Sequence, residues 1–183
     1  MEQTMKHCAL VSGGITLAAA ILWQVLKQDF MLTITITAGT FFYHISIRLL
    51  IGGVFDRFMD NQADYRKKWY QVSAWEDTVY KKLQVKRWKR HLATYDSSLF
   101  DPTLHSWEEI AKAMCQAELV HEVNIAVSFV PILFSVWVGA LPVFVITSIL
   151  AAGYDLLFVI LQRYNRPRVL RLAMRRERQS VKV

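Results

Sequence analysis

Four stretches of this chain are long, apolar and almost free of charge, and nothing else limits its fold so strongly. Residues 8–26 carry no charge at all. Residues 32–55 form a second run, broken by His44 and Arg48. Residues 123–140 and 141–161 are the third and fourth, meeting at Gly139-Ala140-Leu141-Pro142, which reads as a short helical hairpin turn. At 1.5 Å per residue, about 20 apolar residues cross the hydrocarbon of a bilayer. The first run could be a signal-peptide core, with Lys6 before it and Ala18, Ala19 and Ala20 as a cleavage-like region. It continues through Ile21, Leu22 and Trp23, which favours an uncleaved helix. Leu32-Thr33-Ile34-Thr35-Ile36-Thr37 alternates with a period of two, but a lone strand cannot satisfy its backbone in lipid, so a helix is expected there too. The fold expected is an all-α integral membrane protein. It is one domain over residues 1–183, with four transmembrane helices and a cytoplasmic amphipathic segment between the second and third.

Composition agrees. Hydrophobic residues make up 54% of the 183 and charged residues 20%, which argues against a disordered chain and against an ordinary soluble domain. The net charge is +7, and a chain this apolar and basic points to a lipid surface before nucleic acid. Cys8 and Cys115 are too few for a disulfide scaffold.

Basic residues set the orientation. Lys6 precedes the first span and only Lys27 follows it. Residues 56–120 hold eleven, from Arg57 to Lys112, and eight follow from Arg163 onward. By the positive-inside rule both termini and the 56–120 segment are cytoplasmic, and the cell membrane is the expected location. Trp23 and Trp137 then fall near the outer interface. Residues 75–88 read as an amphipathic, interface-lying element, and residues 96–102 as a turn region. Ser106-Trp107-Glu108-Glu109 is a capping box, and the helix it opens has no Gly or Pro before Pro131, so it is expected to run straight into the third span. Residues 162–183 form a basic cytoplasmic tail, and after Pro167 it alternates basic residues with Val169, Leu172 and Met174, like a helix on anionic lipid.

Glu118 and His121 stand at i and i+3 on one helix face, followed by Asn124 and Ser128. A carboxylate beside an imidazole can orient it and raise its basicity, which suits general base work. The pair could equally be a satisfied interfacial histidine. It could also hold a metal with further ligands such as Glu76 or His44, although no His–Cys cluster lies nearby. Deeper in the membrane, Arg48 is seven residues from Phe55 (55 − 48) and Asp155 seven from Gln162 (162 − 155). Both therefore lie about 10 Å deep, and a pair across the bundle is expected, with His44 one turn further in. That pair could simply specify helix register, or it could floor a substrate cavity. The basic runs Lys86-Arg87-Trp88-Lys89-Arg90 and Arg163, Arg166, Arg168 could bind phosphate or merely supply the positive-inside charge. Glycine-rich phosphate loops, Gly-x-Ser-x-Gly elbows and Cys-x-x-Cys pairs are absent from the sequence.

Three motifs carry a resemblance. Gln162-Arg163-Tyr164-Asn165-Arg166-Pro167-Arg168 follows the last span, Ala117-Glu118-Leu119-Val120-His121 precedes the third, and Val85-Lys86-Arg87-Trp88-Lys89 lies upstream. In this order they resemble the glycosyl-4,4'-diaponeurosporenoate acyltransferase family of bacterial membrane proteins, over roughly residues 70–178. The chain looks like a divergent branch, with Glu122 after the motif histidine and Asp155 at a position where the named enzyme type tends to have Asn. The resemblance implies transfer of a fatty acyl group to a hydroxyl of a lipid-linked or glycolipid acceptor. It implies no cofactor, an acyl-CoA or acyl-carrier donor, and membrane lipid as partner, with no nucleic acid and with an oligomer allowed. His121 would be general base, with Glu118 orienting it and Asn124 or Asn165 stabilising the oxyanion. Lys86, Trp88, Lys89, Gln162, Arg163, Tyr164, Arg166 and Arg168 would bind substrate, and His44, Arg48 and Asp155 would be the intramembrane polar set. The competing expectations are a metal-dependent lipid-modifying enzyme, a non-catalytic lipid-binding or assembly subunit, and a small transporter.

Overall fold

A computed structural model describes residues 2–92 and 98–180. Among them every regular element is helical: α1 (Glu2–Leu26), α2 (Asp29–Met59), α3 (Ala74–Lys82), α4 (Val85–Trp88), α5 (Trp107–Val127), α6 (Pro131–Val138) and α7 (Leu141–Ser180), with short 3-10 turns at Lys68–Tyr70, Lys89–His91 and Ser98–Phe100. Four stretches are long and apolar enough to cross a membrane: Glu2–Leu26, Asp29–Met59, Trp107–Val138 and Leu141–Arg176.

The chain groups into two compact units. One comprises residues 1–53 and 123–155, the other residues 54–122 and 156–183. Helices α2, α5 and α7 contribute to both.

In the first unit, α1 and α2 approach closely through small residues, the device that membrane helices use in place of a hydrophobic driving force. A Cβ added at Gly13 would meet the Phe42 ring at 3.1 Å, and one at Gly39 would meet the Thr16 methyl at 3.3 Å. Polar side chains here turn back onto their own helices: Ser12 Oγ donates to Cys8 O at 2.7 Å and Thr40 Oγ1 to Ile36 O at 2.7 Å. This satisfies hydroxyls that lipid could not. Tyr43 donates its hydroxyl to Val127 O at 2.9 Å, tying α2 to the end of α5. The hairpin before α7 turns on Gly139 and Ala140, both with positive φ, at 71° and 55°.

The second unit has a small apolar core of Ala63, Tyr70 and Cys115, flanked by Met59, Tyr65 and Leu119. Gln116 fastens α2 to α5, accepting from the Asn61 backbone at 2.8 Å and donating to Asp56 at 3.0 Å. The predicted capping box forms: Ser106 N donates to Glu109 Oε2 at 2.8 Å and Glu109 N donates to Ser106 Oγ at 3.2 Å.

Several boundaries differ from expectation. The helix opened at Ser106 runs into the third span as expected, but the span itself is interrupted. The helix stops at Val127, residues 128–130 form a turn, and α6 begins with Pro131 at its first position, where a missing N–H costs nothing. The helix of the fourth apolar stretch continues past 161. Helix α7 runs on to Ser180 with Pro167 inside it, so the basic tail continues the same helix. The 75–88 element is two short helices separated by Gln84, which adopts a left-handed conformation at φ 52°. The expected turn at 96–102 falls partly outside the described residues.

Candidate functional site

The site is built on two helices of the second unit. Helix α5 presents Glu118, and the middle turns of α7 present Arg163 and Arg166. Glu118 is fully buried, and a bare buried carboxylate is very costly unless paired. Its two oxygens are divided between two guanidiniums: Arg163 donates to Oε1 at 2.6 Å, and Arg166 donates to Oε2. Arg166 also donates to Tyr70 O, and its guanidinium lies 5.2 Å from the Tyr70 ring. Arg163 reaches further, to Glu76 Oε1 at 2.8 Å and to the backbone oxygens of Trp69 and Gln71 at 2.9 and 3.2 Å.

Glu76 serves two masters. One oxygen accepts from the Ser73 backbone N–H at 2.7 Å, closing the first turn of α3, and the other accepts from Arg163. Burial pushes the Glu76 carboxyl up, but the hydrogen bonds from Arg163 and Ser73 outweigh it and hold it below the usual glutamate value. Tyr80 adds a hydrogen bond to the same carboxylate at 3.3 Å. Burial pushes the Tyr70 phenol up to about 12, so it stays neutral beside Arg166.

His121 follows Glu118 by one turn on α5. Its ring stacks on Phe158 at 4.7 Å and 12°, which fixes the imidazole plane. Glu118 gives both oxygens to arginines, strong partners for a buried charge. Glu122, one residue on, accepts from Trp69 Nε1 at 2.8 Å.

The expected substrate-binding cations divide. Arg163 and Arg166 are spent on Glu118 and Glu76, with Arg166 1% exposed, so Arg166 is a structural residue and not a phosphate ligand. Gln162 is likewise buried. Lys89 is half-buried, donates to Asn165 Oδ1 at 2.7 Å, and lies 5.2 Å from the Tyr164 ring centroid. Arg168 lies 4.5 Å from the same centroid and donates to the Tyr164 hydroxyl at 2.8 Å. Lys86 is exposed, and Trp88 donates its indole N–H to Leu83 O at 3.0 Å. Asn165 therefore sits with the lysine. Asn124, expected beside His121, is counted in the first unit, where its buried Oδ1 has no partner.

In that first unit Arg48 meets Asp155, as the depth arithmetic predicts, and also donates to Ala151 O at 3.0 Å and to His44 O. His44 is buried, and neither ring nitrogen has a partner. Among the described residues no three His, Cys, Asp or Glu side chains gather as metal ligands.

Two openings lie in the second unit. A cleft of about 430 Å³ is lined by Lys68, Trp69, Gln71, Ser73, Trp75, Glu76, Glu122 and Arg163. A cavity of about 130 Å³ lies between α3 and α7, lined by Val72, Asp77, Tyr80, Arg163, Tyr164, Pro167, Arg168 and Arg171. The sequence singled out neither Phe158 nor the long-range role of Glu76. The Ser73-x-x-Glu76 spacing was a usable signal for the cap, but not for the arginine it also receives.

Four membrane-length helices and a buried carboxylate–arginine network define a multi-pass membrane protein with a charged helical site. The chain belongs to the glycosyl-4,4'-diaponeurosporenoate acyltransferase family, whose profile matches residues 66–175. The match contains Glu76, Glu118, His121, Arg163 and Arg166, while α1 and α2 lie before it. No curated protein and no solved structure matches the chain.

Proposed function

We propose that the protein transfers a fatty acyl group from an activated, anionic donor to a hydroxyl of a glycolipid or other lipid-linked acceptor at the cytoplasmic face of the cell membrane. The observation that carries this is the family match over residues 66–175, within which His121 is stacked on Phe158 one turn from the arginine-locked Glu118.

His121 accepts the proton of the acceptor hydroxyl as its oxygen attacks the acyl carbonyl carbon. The carbonyl oxygen takes up negative charge, and the side-chain amide of Asn165, whose Oδ1 accepts from Lys89, is the donor that stabilises it. The new C–O bond forms, the C–S bond to the donor thiol breaks, and the imidazolium returns the proton to the leaving thiolate. Transfer is direct, and no covalent enzyme intermediate is needed. Glu118 acts at one remove. Clamped by two arginines, it fixes α5 against α7 and so holds the His121 and Phe158 rings in register. The open cleft supports a sugar-bearing acceptor, since Trp69 and Trp75 offer exposed aromatic faces beside the carboxylates of Glu76 and Glu122.

Lipids copurifying in mild detergent, compared by mass spectrometry between wild type and His121→Ala, test the proposal. An acylated glycolipid in the wild type, with unreacted donor accumulating in the variant, is expected. Identical content restricted to bulk phospholipid would contradict it and favour a lipid-binding assembly subunit.

A further inference from the structure

Arg163, Arg166, Arg168 and Arg171 on the middle turns of α7, with Lys86 and Lys89, differ in what neutralises them. Arg163 and Arg166 are saturated by Glu76 and Glu118. Lys86, Lys89, Arg168 and Arg171 have no carboxylate in salt-bridge contact among the described residues. Two of these four, Lys89 and Arg168, converge on one aromatic ring, at 5.2 and 4.5 Å from the centroid of Tyr164. Their other contacts are neutral: Lys89 donates to Asn165 Oδ1 and Arg168 to the Tyr164 hydroxyl. Tyr164 itself is held edge-on by Tyr80, at 6.1 Å and 85°. The cavity of about 130 Å³ opens beside this ring, with Arg168, Arg171, Tyr164 and Pro167 in its wall. A water occupies about 30 Å³, so the space admits a tetrahedral oxyanion. Asp77 also lines it, but its carboxylate is paired with Lys81 at 2.6 Å.

Like charges brought together with no counter-charge raise the energy of the site, and a multivalent anion relieves it. Lys89 registers the cost: burial first, then Arg168 and Lys86, hold its amine below the ordinary lysine value. Resting on acyl transfer from a phosphate-bearing donor, we infer that Lys89 and Arg168, held on Tyr164 and joined by Arg171, form the seat for a phosphate group. Arg163 also lines the space, but Glu76 and Glu118 already neutralise it. The fork of Arg168 suits two phosphate oxygens and the Lys89 ammonium adds a point charge. The phosphate can belong to a coenzyme A type donor or to an anionic lipid headgroup, and both offer the same chemistry.

The test uses the full chain in nanodiscs of zwitterionic phosphatidylcholine, with coenzyme A as one probe by titration calorimetry. The second probe is phosphatidylglycerol added to the discs, with retained lipid counted by native mass spectrometry. Lys89→Gln and Arg168→Gln should each weaken binding about tenfold or more, and Lys112→Gln should leave it unchanged. Arg168→Lys, which keeps the charge but loses the fork, should bind more weakly than wild type and more tightly than Arg168→Gln, even if the neutral variants lose stability. Response of coenzyme A assigns the seat to the donor, and response of phosphatidylglycerol alone assigns it to a headgroup. Equal binding of both probes by wild type and both Gln variants, or no binding of either by the wild type, would overturn the inference. His121→Ala should bind coenzyme A normally, so a protein that binds at the seat yet never transfers an acyl group would sink the proposed function and leave the seat standing.

Discussion

Arg166 donates to Glu118 with both side chains sealed from solvent, at 1% and 0% exposure. A charge pair so placed recovers its desolvation cost only when every remaining polar atom is also bonded. Here the requirement is met by Arg163 on the other carboxylate oxygen and by Tyr70 O on the other arginine nitrogen. The network joins α5, α7 and the Trp69–Gln71 turn.

Removing one partner leaves an uncompensated charge inside the second unit. Arg166→Ala should therefore cost about 3–5 kcal/mol. Thermal unfolding in detergent, followed by circular dichroism, is the measurement. A loss below about 1 kcal/mol would mean that Glu118 is stable without this arginine.

The Arg48–Asp155 pair in the first unit should behave in the same way, with one useful difference. Its partners belong to two helices and no sequence match covers Arg48. Asp155→Ala should lower the melting temperature sharply, whereas the double replacement Arg48→Met with Asp155→Leu should recover most of the loss, because a buried pair can be exchanged for well-packed apolar side chains. A double variant as unstable as the single one would show that Arg48 or Asp155 has a further partner that matters.

Glu76 makes stability depend on acid. Its folded-state pKa lies below the ordinary value of 4.5, through the hydrogen bonds from Arg163 and Ser73. A depressed carboxyl contributes stability that is fully present above the unfolded value and is lost as pH falls through the folded one. Unfolding midpoints of the wild type should thus fall progressively below about pH 4.5. Glu76→Gln should be less stable at neutral pH and show a flatter acid limb. Parallel limbs for both proteins would assign the acid loss to other carboxylates.

Much of this was legible in the chain. The pairing of Arg48 with Asp155 followed from counting residues to the end of each apolar run, because helical rise is constant and a charge in lipid must be paired. The caps at Ser106 and the turn at Gly139 were legible for a similar reason: both are local chemistry spanning three or four residues. The partner of Glu118 was not. Arg163 and Arg166 lie 45 and 48 residues away, and nothing in a sequence of mixed charges says which carboxylate meets which arginine. Spacing favoured the neighbour His121, and the fold supplied stronger partners. The positive-inside rule explained why Arg163, Arg166 and Arg168 are basic, yet it says nothing of burial, so two structural arginines and one exposed arginine read alike. The break at 128–130 had its signal in Pro131, because the residue before a proline is biased away from the helical conformation.

The most direct test of acyl transfer is turnover by purified protein supplied with labelled acyl-CoA and membrane lipid extract, wild type against His121→Ala, with the unfolding temperature of each measured alongside. Loss of the general base should reduce formation of the labelled ester by about 10²- to 10⁴-fold while the unfolding temperature stays within a few degrees. Ester formed at the wild-type rate by a folded His121→Ala protein would contradict the mechanism at its centre.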